Sequence, residues 1–327
     1  MRIVFMGSSA ASATCLRAIL RLPGLNVVGV VTQPDRPAGR GKVLTPCPCR
    51  AYAATRGILD CITPEDVNAP EALAKIRSWK PDVIVVVAFG QFLREELLSI
   101  PPNGCINCHY SLLPKYRGAS PVSAAIAAGE RVTGVSVIRI GIGLDDGPLL
   151  IPQAIEPIYA DDNGETLMDR LAIAGGVNLA KALKLMAAKQ LPAPVAQIDE
   201  EASWAHKMKK SDGLIDWKQP SVVIERKVRA FTPWPGCYTF LPPRFRKKGN
   251  SGRVAVFGAE FAKPADSHRA ELPGTVIAVT ERGPVVRTGD TALLLSAVKP
   301  EGSKMMDGGA FLRGRPLEAL KDVLLNA

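Results

Sequence analysis

The run Val83-Ile84-Val85-Val86-Val87 constrains this chain more than any other stretch. Five apolar residues without polar alternation read as a strand buried on both faces, which needs a sheet covered by helices on each side. Other strand-like runs fall at residues 2–7, 27–32, 58–63 and 104–108, separated by helical stretches such as 14–22 and 70–79. This alternation predicts a mostly parallel α/β sheet. Residues 119–128 read as a short helix and 165–190 as a long amphipathic one that closes the first domain. Residues 191–203 hold two prolines and an acidic run and read as a linker. Past residue 211 the pattern changes to a helix at 221–231 and short strands at 237–241, 254–258, 274–280, 283–288 and 292–298, a spacing that suits a small OB-like β-barrel. The expected organisation is one domain over 1–190, a linker over 191–210 and a second domain over 211–327.

Composition bounds the class of protein. Apolar residues make up 47% and charged residues 22% of the 327 positions, an ordinary globular balance. No apolar run reaches the roughly 18 to 20 residues of a membrane span, and the chain enters RIVFMG without a signal-like apolar segment, so a cytoplasmic protein is expected. Seven scattered cysteines predict reduced thiols. Cys47-Pro48-Cys49 lacks the usual zinc spacing, so no metal is expected. The net charge of +10 is uneven: residues 1–206 carry 20 Lys and Arg against 19 Asp and Glu, residues 207–327 carry 21 against 12. The second half is where a polyanion would dock.

The chemistry concentrates in CINCHYSLLPKYRGASP, residues 105–121, and GIGLDDGP, residues 141–148. Asn107 and His109 lie two apart, so on an extended strand both side chains leave the same face, near a strand end where a parallel sheet places its ligand crevice. Asp145 sits in a glycine-flanked loop after another apolar strand, 135–140, from which it can close on His109. On an extended backbone Asp145 and Asp146 point to opposite sides, so only one of them faces the histidine. An amide, an imidazole and a carboxylate suit acyl or formyl transfer: Asn107 and a protonated His109 would stabilise a tetrahedral oxyanion while Asp145 keeps the ring charged. Taken alone, a histidine at a strand end also fits a purely structural role. His206 and His268 lie in polar surroundings and read as surface. Gly7-Ser8-Ser9 falls short of a dinucleotide fingerprint and reads as a tight turn capped by serine. Residues 32–48, with four prolines and two glycines, form a long semi-rigid loop.

The pattern N-x-H-x-S-L-L-P-x-x-R-G, followed by L-D-x-G with its Asp 36 residues after the His, resembles the folate-dependent formyltransferases. TQPDRPAGRGK at 32–42 is similar to the branch that acts on methionyl-tRNA. DGLIDW and RAFTPWPG, at 212–217 and 229–236, extend the likeness over nearly the whole chain. The resemblance implies a Rossmann-like catalytic domain and transfer of the formyl group of 10-formyltetrahydrofolate to the α-amine of initiator methionyl-tRNA, with Asn107, His109 and Asp145 as the catalytic trio. It implies that Phe89, Gly90, Gln91 and Phe92, with Gly141, Gly143 and Leu144, cup the pterin, and that Ser111, Leu112, Leu113 and Pro114 lie along the folate. It places Arg36, Arg40 and Lys42 toward the acceptor end of the tRNA, with Arg226, Lys227 and Arg229 on a basic helix of the second domain. Arg244, Arg246, Lys247 and Lys248 fall in a charged turn there. The expected enzyme is a monomer without metal or membrane partner. Two departures stand out: Gly7-Ser8-Ser9-Ala10-Ala11 where relatives have G-T-P-x-F, and Tyr110 where a smaller residue or proline follows the histidine. Two other readings stay open, a formyltransferase for another amine such as a sugar nucleotide or purine precursor, and a folate- or RNA-binding homologue without activity.

Overall fold

The computed structural model describes residues 1–38, 43–58, 60–246, 249–263, 270–313 and 323–326. The chain divides into two compact units, the first comprising residues 1–121, 131–157 and 167–206, the second 122–130, 158–166 and 207–327.

The first part of the chain runs β1 (Arg2–Gly7), α1 (Ala10–Leu20), β2 (Asn26–Val31), β3 (Arg36–Ala38), β4 (Val43–Thr45), α2 (Pro48–Thr55), β5 (Cys61–Ile62), α3 (Pro70–Ser78), β6 (Val83–Val87), α4 (Glu95–Leu98) and β7 (Cys105–His109). It continues through β8 (Arg117–Gly118), α5 (Pro121–Ala128), β9 (Val132–Arg139), β10 (Ala154–Pro157), α6 (Gly164–Ala187) and β11 (Trp204–Ala205). Seven strands form one sheet in the order β10-β9-β7-β6-β1-β2-β5. The five strands from β5 to β7 are parallel, as the alternation predicts, and β9 and β10 extend the sheet in antiparallel sense. All five residues of β6 are buried, which is why the run carries no polar alternation. One face packs Val4, Met6, Ile84 and Val86 against Leu73, Ile76 and Trp79 around α3.

Chain order along the sheet reverses between β1 and β6, since β2 and β5 lie on one side of β1 and β6 and β7 on the other. Such a switch point opens a crevice at the carboxyl ends of the strands. Gly7 closes the backbone there: a Cβ would stand 2.6 Å from the Val87 carbonyl oxygen. The turn that follows is the serine-capped one expected from sequence. Ser9 and Ser12 cap α1 reciprocally, and the Ser12 hydroxyl donates to the Val87 carbonyl at 2.6 Å.

Residues 191–203 do not run free as a composition-based linker would; they belong to the first unit. Leu149 and Val195 exchange backbone hydrogen bonds, β11 pairs with β8, and the Arg117 amide donates to the Ser203 carbonyl at 2.8 Å. Prolines and acidic residues serve a strap of this kind as well as a linker, because its polar groups are met by other elements rather than by a ladder of its own.

The second unit holds α7 (Ser221–Ala230), β12 (Cys237–Phe240), β13 (Arg253–Ala262), β14 (Val276–Thr280), β15 (Gly283–Arg287), β16 (Ala292–Pro300), β17 (Met306–Asp307) and α8 (Gly308–Arg313). Its antiparallel sheet has the order β12-β13-β16-β15-β14, with β17 on β16. Each of the five short strands expected after residue 236 has a counterpart. Trp217, Ile224, Val228, Val256, Leu293 and Phe311 form its core. The buried indole of Trp217 donates to Thr239 Oγ1 at 3.1 Å. The start of α7 is capped from afar: the Ser221 amide donates to Asp290 Oδ1 at 2.7 Å.

Candidate active site

Period two along β7 turns Asn107 and His109 to one side and Cys108 to the other, where a Cβ added to Gly175 would stand 2.8 Å from Cys108 Sγ. Both polar residues line a cavity of about 470 Å³. Its walls are Ala88 to Leu93, directly after β6, and Ile138, Ile140, Gly141, Gly143 and Leu144 at the end of β9 and in the following loop. That loop folds back because the Arg139 amide donates to the Pro148 carbonyl and the Leu150 amide to that of Val137. The fold-back carries Asp145 to Asn107 and His109.

Asn107 Nδ2 donates to Asp145 Oδ1 at 3.1 Å, and the Gly118 amide donates to Asp145 Oδ2 at 3.0 Å. His109 Nδ1 lies 3.4 Å from the same Oδ2, with the ring and the carboxylate 6% and 13% exposed. His109 Nε2 donates to the Tyr116 carbonyl at 2.9 Å. Both ring nitrogens therefore face acceptors. The 3.4 Å separation is longer than a tight hydrogen bond. Asp146 does not line the cavity; its carboxylate lies against Gly143, where a Cβ would meet it.

Phe89, Gly90, Gln91, Phe92, Gly141, Gly143 and Leu144 all line the cavity. Gly90 takes a φ of +86°, a backbone open to glycine and strained for other residues, which keeps that wall free of a side chain. Gln91 turns its amide away, to the Val67 amide and the Pro64 carbonyl. Ser111, Leu112, Leu113 and Pro114 are not among the lining residues. Ser111 is buried, its hydroxyl donates to the Lys115 carbonyl at 2.6 Å, and its carbonyl accepts from Ser136. The turn they form instead leads the chain to Tyr116, whose carbonyl holds His109. Tyr110 does line the cavity, with its hydroxyl 3.6 Å from Cys15 Sγ. Burial holds that phenol well above its ordinary range, so the ring contributes bulk and a neutral hydroxyl.

Four contributors to this geometry escape a reading of the sequence. The Tyr116 carbonyl and the Gly118 amide are backbone groups, and Met168 reaches the cavity from α6. Gln197 donates to the carbonyls of Asp145 and Gly147 at 2.8 and 2.7 Å from within the supposed linker. Arg117 and Gly118 do carry a signal, as the R-G that ends the S-L-L-P pattern.

Among the residues expected to meet nucleic acid, Arg36 is exposed, whereas Arg40, Lys42, Lys247 and Lys248 lie outside the described residues. Arg229 is engaged with Glu225 and donates to the Asp162 carbonyl at 2.8 Å. Lys227 donates to the Leu214 carbonyl at 3.1 Å. Arg226 flanks Gly129 closely enough that a Cβ there would meet its guanidinium. Among the described residues no group of three His, Cys, Asp or Glu could hold a metal, and no helix is long and apolar enough to cross a membrane.

The chain matches the family described as formyl transferase over residues 1–183 and the formyl transferase C-terminal domain over 207–316. It is 40% identical to the methionyl-tRNA formyltransferase of Citrifermentans bemidjiense over 97% of this chain and 95% of that one. It is 42% identical to the methionyl-tRNA formyltransferase of Acidithiobacillus ferrooxidans over 96% and 95%. Among solved structures, HypX from Aquifex aeolicus in complex with tetrahydrofolic acid aligns with a TM-score of 0.61 at 17% identity, over 95% of this chain and 47% of HypX. The N-formyltransferase from Helicobacter canadensis, in complex with folinic acid and dTDP-3-aminofucose, aligns with a TM-score of 0.60 at 16% identity, over 90% and 98%. These two likenesses concern the fold. With both family domains matched in order and full-length relatives at 40% identity, the chain belongs to the formyl transferase family, on its methionyl-tRNA formyltransferase branch.

Proposed function

We propose that this enzyme transfers the formyl group of 10-formyltetrahydrofolate to the α-amine of initiator methionyl-tRNA, with Asn107, His109 and Asp145 at the reacting atoms. The observation that carries the reading is the convergence of that amide, imidazole and carboxylate at one wall of an otherwise apolar cavity. A cavity of about 470 Å³ with few convergent polar groups fits one end of a folate-sized ligand. The apolar side chains of Phe89, Leu93, Ile138 and Ile140 suit a flat heterocycle, and the bare backbone at Gly90 and Gly141 lets one approach closely. The bound donor supplies an activated formyl carbon.

Asn107 keeps one Nδ2 proton on Asp145 and offers the other to the formyl oxygen as charge develops there. His109, anchored through Nε2, adds its Nδ1 proton to the same oxygen, and the Asp145 carboxylate stabilises the charged ring. The α-amine, with an ordinary pKa near ~8, is substantially neutral at working pH and attacks once held in place. Asp145 then accepts the amine proton, and collapse of the tetrahedral adduct breaks the bond between the formyl carbon and N10 of the donor, which takes up a proton and leaves as tetrahydrofolate. Losing one such oxyanion donor costs about 3 kcal/mol, roughly a hundredfold in rate.

On this reading Arg36 and the loop it opens, including Arg40 and Lys42, meet the acceptor end of the tRNA. Arg226 and Lys227 add to the positive field of the second unit, and Arg229 shapes the base of that helix. The protein acts as a monomer in the cytoplasm. Formyl transfer from 10-formyltetrahydrofolate to charged initiator tRNA, with uncharged tRNA and free methionine as controls, tests the assignment. Product only with the charged tRNA is expected. Activity toward an amino sugar nucleotide instead would overturn it.

A further inference from the structure

We infer that Gln197, oriented by Arg117, is a positioning residue that sets the Asp145 carboxylate in the site; the inference rests on the role proposed above for Asp145. Asp145 has a φ of +52°, in the left-handed region that residues with a Cβ seldom occupy, so the surrounding structure must hold it there. The base of its loop is closed by backbone bonds from the Arg139 amide to the Pro148 carbonyl and from the Leu150 amide to the Val137 carbonyl. At its tip Asn107 and the Gly118 amide hold the Asp145 carboxylate, and Gln197 holds the backbone. Gln197 Nε2 donates to the Asp145 carbonyl at 2.8 Å and to the Gly147 carbonyl at 2.7 Å, so both of its protons bridge the loop on either side of Asp146.

Arg117 removes the choice of orientation. Its Nε and Nη2 donate to Gln197 Oε1 at 3.1 and 2.9 Å, and a guanidinium can only donate. The amide oxygen must therefore face Arg117 and the NH2 group must face the loop. Arg117 is itself only 4% exposed, and Asp199 balances its charge at 2.7 Å. The result is a continuous chain from Asp199 through Arg117 and Gln197 to the loop, and from Asp145 to Asn107, Gly118 and His109. The strap that carries Gln197 also steadies the other side of the site. Its Ser203 hydroxyl accepts from the Tyr116 amide at 2.9 Å, and the Tyr116 carbonyl is the one that holds His109.

The test uses the full-length enzyme in four forms: wild type, Gln197→Ala, Asp145→Ala and the double variant. Gln197→Ala should lower kcat for formyl transfer by about 10- to 100-fold, the usual effect of misplacing a reacting group by an ångström, while KM for the formyl donor changes less than threefold. In the Asp145→Ala background the same substitution should cost less than about threefold, because its effect passes through Asp145. An equal loss in both backgrounds would overturn the inference. A second readout needs no activity: the Gly118 amide, which donates to the Asp145 carboxylate, should move upfield and exchange faster in Gln197→Ala as observed by NMR. An unchanged Gly118 amide would also overturn it. A wild type without formyl transfer would sink the proposed reaction while leaving the amide signal to decide the positioning role. Gln197→Glu, which keeps the partner of Arg117 but turns an acceptor on the two carbonyls, should reproduce the loss and serves if the alanine variant does not fold.

Discussion

Gly147→Ala perturbs the Asp145 loop while leaving every polar group in the chain. A Cβ built on Gly147 lies 1.7 Å from the Arg139 carbonyl oxygen, which is backbone at the end of β9 and cannot swing aside like a flexible side chain. Real Cβ contacts stay above 3.0 Å, so the two segments must part by about 1.3 Å. Asp145 lies two residues away and holds Asn107 and Gly118 at 3.1 and 3.0 Å. A displacement of that size takes both beyond hydrogen-bond range. Overpacking of this kind costs about 1 to 3 kcal/mol of stability, and an ångström of misplacement about a hundredfold in rate. The account therefore predicts a folded variant with a modestly lower melting temperature and single-turnover formyl transfer reduced by about 30- to 100-fold. A folded Gly147→Ala protein that transfers formyl within threefold of wild type would refute the claim that Asp145 must sit where it does.

Asp290→Ala should remove the cap of α7 and destabilise the protein by about 1 kcal/mol in denaturant titration at neutral pH. Partial burial pushes the Asp290 carboxyl up, but bonds from the Ser221 and Thr291 amides and the Thr288 hydroxyl outweigh it and hold the group below its ordinary range. Its contribution is thus present above the ordinary carboxylate range and lost as pH falls through the folded value, so variant and wild type should converge in acid. Burial pushes the thiols of Cys105 and Cys237 up to about 12. A raised thiol gives stability that is intact below the ordinary value of 9.0 and declines above it, so unfolding free energy should fall as pH rises from 9 toward 12. Cys105→Ala should flatten part of that fall. Gly175→Ala, whose Cβ would come within 2.8 Å of Cys108 Sγ and 3.3 Å of the Tyr110 ring, should lower the melting temperature.

The parts of this structure readable from sequence are those written in side chains close along the chain. The apolar run of β6 announced the sheet, and the two-residue spacing of Asn107 and His109 put them on one face. Asp145 was identifiable as a carboxylate in a glycine-flanked loop, although not the fold-back of that loop, which depends on bonds between Arg139, Pro148, Val137 and Leu150. The antiparallel strand β9 carries the same buried apolar run as a parallel strand and could not be told from one, while β10, four residues of alternating exposure, carries no apolar run to read. Backbone groups leave no signature at all, so the roles of the Tyr116 carbonyl and the Gly118 amide were invisible. Gln197 was hidden differently. It lies 52 residues beyond Asp145, in a stretch whose prolines and acids look the same whether it links domains or straps a site.

The most direct measurement is the rate of formyl transfer from 10-formyltetrahydrofolate to charged initiator tRNA by wild type, Asn107→Ala and Asp145→Asn, each shown to be folded. The account predicts transfer by the wild type and a loss of about a hundredfold or more in each variant. Near-wild-type rates in either variant would contradict the assignment of the amide and carboxylate to the reacting atoms.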